Sequence, residues 1–190
     1  MPWNGAKIEE LYRRVTGVVQ RTYRPLDQVP FFRFLYPPEA EVEVLREFRL
    51  FVQCLRANSF AAGTISLVEV LQAALMDLLN ASVDGFAACL QEYEQRSRRE
   101  ELTRMLAEHL PEALTGHLLS RLEGYPELAC VVLTRSGALF PFVRLSSVFS
   151  RLEGKVKQVI VALYPGDQEG AMLRDRSFDL AAGYYRGEVL

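Results

Sequence analysis

Leu128-Ala129-Cys130-Val131-Val132-Leu133-Thr134-Arg135-Ser136-Gly137 is the stretch on which the fold turns. Six apolar residues follow one another without a polar interruption, and a polar turn with glycine closes them. An antiparallel strand with one wet face would alternate; an unbroken run is the mark of a strand buried on both faces of a parallel sheet. Downstream, Val159-Ile160-Val161-Ala162-Leu163-Tyr164 repeats the pattern and ends at Pro165-Gly166-Asp167. Between the two, Phe140, Val143, Val148, Phe149 and Leu152 recur near helical spacing, with Gly154 as the stop.

Upstream the same alternation is legible. Val29-Pro30-Phe31-Phe32-Arg33-Phe34-Leu35-Tyr36 reads as an aromatic strand closed by Pro37-Pro38. The second proline suits the first turn of a helix, where a missing N–H is harmless, and Glu39 and Glu41 suit the positive end of the helix dipole. Val42, Leu45, Phe48, Val52 and Leu55 form the expected buried stripe, broadened by Val44 and Phe51, and Asn58 or Ser59 ends the helix. A strand over Ala62–Leu67 and a helix over Val68–Leu79 follow. An amphipathic helix over residues 5–22 precedes everything, and Gly183–Leu190 reads as an edge strand.

Residues 84–123 depart from this rhythm. They are helical in pattern and heavily charged, and Glu92-Tyr93-Glu94-Gln95-Arg96-Ser97-Arg98-Arg99-Glu100-Glu101 mixes both signs within ten residues. No Gly/Ser/Pro-rich linker frames them, so the reading is a helical insertion with a solvated face inside one domain spanning 1–190. The expected fold is α/β: an open, mostly parallel sheet, Rossmann-like or P-loop-NTPase-like without the P-loop, with helices on both faces.

Composition excludes several classes. A hydrophobic share of 49% with 24% charged residues places the chain among ordered globular domains rather than disordered ones. Net charge is −2, so no overall electrostatic footprint for nucleic acid exists. Arginines 96, 98 and 99 could touch phosphates, but Glu92, Glu94, Glu100 and Glu101 interleave with them. No run of eighteen apolar residues is present, and the first residues do not resemble an export signal, so the expectation is a cytoplasmic protein with no membrane contact. Cys54, Cys89 and Cys130 are odd in number, widely spaced and set among apolar neighbours, which reads as three reduced core thiols rather than disulfides or a zinc site.

Catalytic patterns fare poorly. A phosphate-binding loop needs glycines that present consecutive N–H groups, yet the turn after the first strand is Tyr36-Pro37-Pro38-Glu39, and no G-x-G-x-x-G occurs anywhere. Ser136 keeps only the trailing glycine of a nucleophile elbow. His109 and His117 read as surface or satisfied residues, and Asp167, Glu169 and Asp175 are carboxylates of the kind any polar loop carries. We therefore expect no catalytic residues, no cofactor and no metal. In open α/β sheets ligands and partners gather beyond the carboxyl ends of the strands. Tyr and Arg are frequent interface anchors. Together these nominate Tyr36, Arg135, Ser136, Arg144, Tyr164, Asp167, Tyr185 and Arg186 as the candidate interaction or pocket residues.

Four blocks, Val29–Pro37, Val132–Arg144, Val159–Gly166 and Tyr184-Tyr185-Arg186, resemble in order and spacing the B component of BREX phage-defence systems, the BrxB family. The sequence departs from that family's glycine-containing turn at Arg135-Ser136. The resemblance implies a small, cytoplasmic, non-catalytic member of a multi-protein assembly that restricts phage and accompanies host DNA methylation. It implies an adaptor among components that carry the chemistry: a methyltransferase, a large ATPase and the alkaline-phosphatase-like PglZ, the expected partner. It brings no catalytic residues to carry over. The rival expectation is an atypical nucleotide-binding or hydrolase domain using Arg135, Ser136 and Asp167 at the carboxyl edge of the sheet.

Overall fold

Side chains alternate across a strand, so a sheet buried on both sides must build two cores from the same residues. Strand β1 (Phe31–Tyr36) does this: Phe31 and Leu35 enter one core, while Phe32, Phe34 and Tyr36 enter the other. The computed structural model describes residues 5–25, 29–96, 99–166 and 188–190. Its strands are β1, β2 (Ala62–Ser66), β3 (Cys130–Thr134), β4 (Val159–Pro165) and β5 (Glu188–Val189), arranged β2-β3-β4-β1-β5. Every pairing is parallel. The open parallel sheet read from the two apolar runs is therefore the sheet the chain forms.

The core of Phe32, Phe34 and Tyr36 lies under α1 (Gly5–Val19) and α2 (Glu41–Ala57); that of Phe31 and Leu35 lies under α3 (Leu67–Leu78), α5 (Arg99–Leu122) and α6 (Leu145–Leu152). The face changes for a topological reason. From β1 the chain travels across the sheet to its far edge at β2, then returns through β3 to β4. Crossovers keep one hand, so reversing the direction of travel moves the connecting helices to the opposite face.

Three local differences from the sequence reading have physical causes. In α2 the buried residues are Val44, Phe48, Phe51, Val52 and Leu55, whereas Val42 is 81% exposed. Val42 lies roughly 200° around the helix from Val44, and the aromatic pair Phe48–Phe51 sets which side faces the sheet. Cys54 lies on that outer surface, so only Cys130 is a core thiol, and Cys89 is half-buried; all three are free. Within 84–123, α4 (Phe86–Arg96) and α5 are helices as expected. The deeper half of α5, however, is not a solvated face: Leu106, Leu110, Leu114, Leu118 and Leu122 are buried. A leucine at every fourth position makes one continuous ridge.

Strand β5 is short but firmly tied. It pairs with Phe32 and Arg33, and Leu190 exchanges backbone hydrogen bonds with Arg33 O and Leu35 N. Glu188, 3% exposed, accepts hydrogen bonds from Arg14 Nη1 at 2.7 Å and Tyr23 Oη at 2.6 Å. The opposite edge is guarded by side chains. Arg56 Nε donates to Ala62 O at 2.8 Å and Tyr125 Oη reaches Thr64 O at 3.4 Å. The Tyr125 ring lies over Gly63, where an added Cβ would sit 2.1 Å from Cε1.

Candidate functional site

The carboxyl ends of β1, β3 and β4 meet at one end of the sheet, as the parallel register requires. Each strand stops for a local reason. At β1, Pro37 has extended backbone (φ −62°, ψ 133°), the geometry imposed by the following Pro38, and a 3-10 turn over Pro38–Ala40 leads into α2. Acidic residues Glu39, Glu41 and Glu43 fill these first turns. At β3, Arg135 takes a left-handed conformation (φ 59°, ψ 40°) and starts a 3-10 turn over Ser136–Leu139. A residue with a Cβ gives up about 1–2 kcal/mol there. At β4, Pro165 and Gly166 end the pairing.

These ends are stitched to one another. Gly166 N donates to Tyr36 O at 2.8 Å, and buried Ser136 Oγ donates to Leu163 O at 2.7 Å. Gly137 packs on Pro165, where an added Cβ would stand 3.3 Å from Cγ. Ligands lie beyond such strand ends in many open α/β sheets; here Tyr36 O and Leu163 O engage the Gly166 amide and the Ser136 hydroxyl, and Pro37 and Pro38 have no N–H to offer.

Of the nominated residues, Tyr36, Ser136 and Tyr164 are buried, whereas Arg135 and Arg144 face solvent. Arg144 caps the start of α6, its carbonyl accepting from Ser147 N and Val148 N. Asp167, Tyr185 and Arg186 lie outside the described residues, as do Glu169, Asp175 and the Arg98 of the charged run. The Tyr36 hydroxyl is buried, and no hydrogen-bond partner is within reach among the described residues. Burial pushes this phenol above its ordinary range; the Glu41 carboxylate adds to the push and Arg135 opposes it.

Phe140 belongs with this group and was hidden in the sequence. The helical spacing that includes Val143 and Val148 predicts it as core, yet it is 39% exposed. Pro141 is the signal that separates it from the helix, because the residue before a proline is driven out of helical geometry. Among the described residues no three His, Cys, Asp or Glu side chains gather as a metal site, and no helix is long and apolar enough to cross a membrane. His117 pairs with Asp77 at 2.7 Å, joining α5 to α3, and His109 is exposed.

Fold and site together define an open, all-parallel α/β domain whose strand ends are tied to one another by hydrogen bonds. More narrowly, the chain belongs to the BrxB family: the family model described as BREX protein BrxB matches residues 66–188. No curated protein matches the chain. One solved structure is similar at 16% identity, the Drosophila origin recognition complex (ORC) bound to GC-rich DNA and Cdc6, over 88% of this chain and 27% of that one. Its TM-score of 0.34 is too low for any inference, and this chain spans only about a quarter of that one's length.

Proposed function

We propose that this chain is a non-catalytic adaptor of a BREX assembly, acting in the cytoplasm by protein–protein contact, with PglZ as its principal partner. Membership of the BREX protein BrxB family is the observation that carries the reading. The strand ends support it. Gly166 N and Ser136 Oγ, two donors at these ends, are engaged by Tyr36 O and Leu163 O. The charged and aromatic groups beside them, Arg135, Phe140 and Arg144, point outward and suit contact with another protein.

Affinity capture of the full chain from cells expressing the remaining BREX components tests the proposal. PglZ should co-purify at near-stoichiometric yield, and capture of no component overturns it. Titration with ATP and Mg²⁺ checks the rival expectation at the same sheet end. Micromolar binding lost on Arg135→Ala would favour a nucleotide site over an adaptor.

A further inference from the structure

We infer that Arg135, Phe140 and Arg144, on the connection between β3 and α6, form a preorganised docking surface for an acidic segment of the partner protein with an apolar anchor. The inference rests on the adaptor reading and supplies the chemistry of the partner. Three observations converge on it. Arg135 holds a left-handed backbone, costly for any residue but glycine, while its side chain is exposed and without an ionic partner among the described residues. The turn that Arg135 opens carries Ser136 Oγ onto Leu163 O, so its backbone serves the fold while its guanidinium makes no ionic contact among the described residues.

The connection is also rigid beneath these side chains. Ser136 Oγ is bonded to Leu163 O, Ala138 N to Arg135 O, Phe140 N to Gly137 O and Val143 N to Leu139 O. Leu139, Val143 and Leu145 are buried on either side of Phe140 and Arg144. A partner would meet groups already in place, so little ordering entropy is lost on contact.

Charge selects the partner. Arg135 and Arg144 have no carboxylate paired to them among the described residues, and Phe140 is a half-exposed aromatic on the same short connection. Two exposed guanidinium groups and an aromatic ring on one short connection suit carboxylates near an apolar side chain. A nucleic-acid duplex fits less well. Its continuous phosphates would also face Glu39, Glu41 and Glu43 at the same end of the sheet.

The test uses full-length Arg135→Gly, Phe140→Ser and Arg144→Glu with PglZ as the probe, reading partner capture, salt dependence and thermal midpoint. Arg135→Gly should melt at or above the wild-type temperature yet lose capture roughly tenfold, and Arg144→Glu should lose more. Added salt should weaken the wild-type complex and have less effect on Arg144→Glu. A lower melting temperature for Arg135→Gly overturns the inference, because the side chain would then serve the fold. Wild-type capture that all three variants retain overturns the docking surface and leaves the adaptor reading standing. Wild-type failure to capture PglZ removes both. Binding of a DNA duplex that Arg144→Glu abolishes would assign the surface to nucleic acid instead.

Discussion

A buried hydroxyl without a partner is a liability, and among the described residues Tyr36 carries one at 1% exposure. Removing it while keeping the ring preserves the apolar surface Tyr36 adds to the core it shares with Phe48 and Phe51. Tyr36→Phe should therefore be as stable as wild type or more stable by about 1 kcal/mol, measured by urea unfolding. A clear loss of stability would mean the hydroxyl has a structural partner. The cysteines allow a second test at this scale. Burial pushes the Cys130 thiol up to about 12, while Cys54 stands on the outer surface of α2. An aromatic disulfide reagent at pH 8 should modify Cys54 quickly in the native protein and Cys130 only after unfolding. The sign of the alkaline response follows too. Unfolded Cys130 loses its proton near 9 and the native thiol near 12, so stability should fall as pH rises between those values. Neither tyrosine nor cysteine was readable from sequence at this level. Apolar neighbours suggested three buried thiols, but the helical phase of α2 puts Cys54 on the surface.

At the scale of elements, the least expected bond is the one between α1 and β5. Arg14 and Tyr23 converge on the buried carboxylate of Glu188, and Arg14 also pairs with Glu10 and lies 5.9 Å from the Tyr23 ring centroid. Arg14→Ala removes the guanidinium from that buried carboxylate, and should cost about 3 kcal/mol, read by chemical unfolding. Hydrogen exchange should rise in both α1 and residues 188–190, although they are distant in sequence; a rise confined to α1 would show the bond to be incidental. The elements themselves were largely legible. Strands β3 and β4 are unbroken apolar runs, and Pro37-Pro38 marks the end of β1. What pattern reading lost was orientation. Val42 and Val44 are equally apolar, so only packing against Phe34 and Phe48 selects the buried side. The leucine ridge of α5 was concealed because the charged run at its start dominated the local composition.

For the whole molecule, strand order was beyond reach of the sequence, since each strand would fit a parallel neighbour on either side. That order leaves β2 at an edge, where exposed backbone invites association. Arg56 and Tyr125 occupy its outward carbonyls. Gly63→Ala would displace the Tyr125 ring; we expect a loss of roughly 1–2 kcal/mol and concentration-dependent self-association in sedimentation. A variant that stays monomeric would show Arg56 to be a sufficient guard. The sheet end could be named in advance because parallel strands put their carboxyl ends together. The bonds that tie it, Gly166 N–Tyr36 O and Ser136 Oγ–Leu163 O, could not, because they depend on register. The Glu188 bond also orders events in time. Arg14 leaves the ribosome 174 residues before its partner, a delay of ~10–35 s at ~5–20 residues per second. During that interval the first helix has no fastening at the sheet's edge, so a nascent chain stalled short of residue 188 should present it to chaperones or proteases.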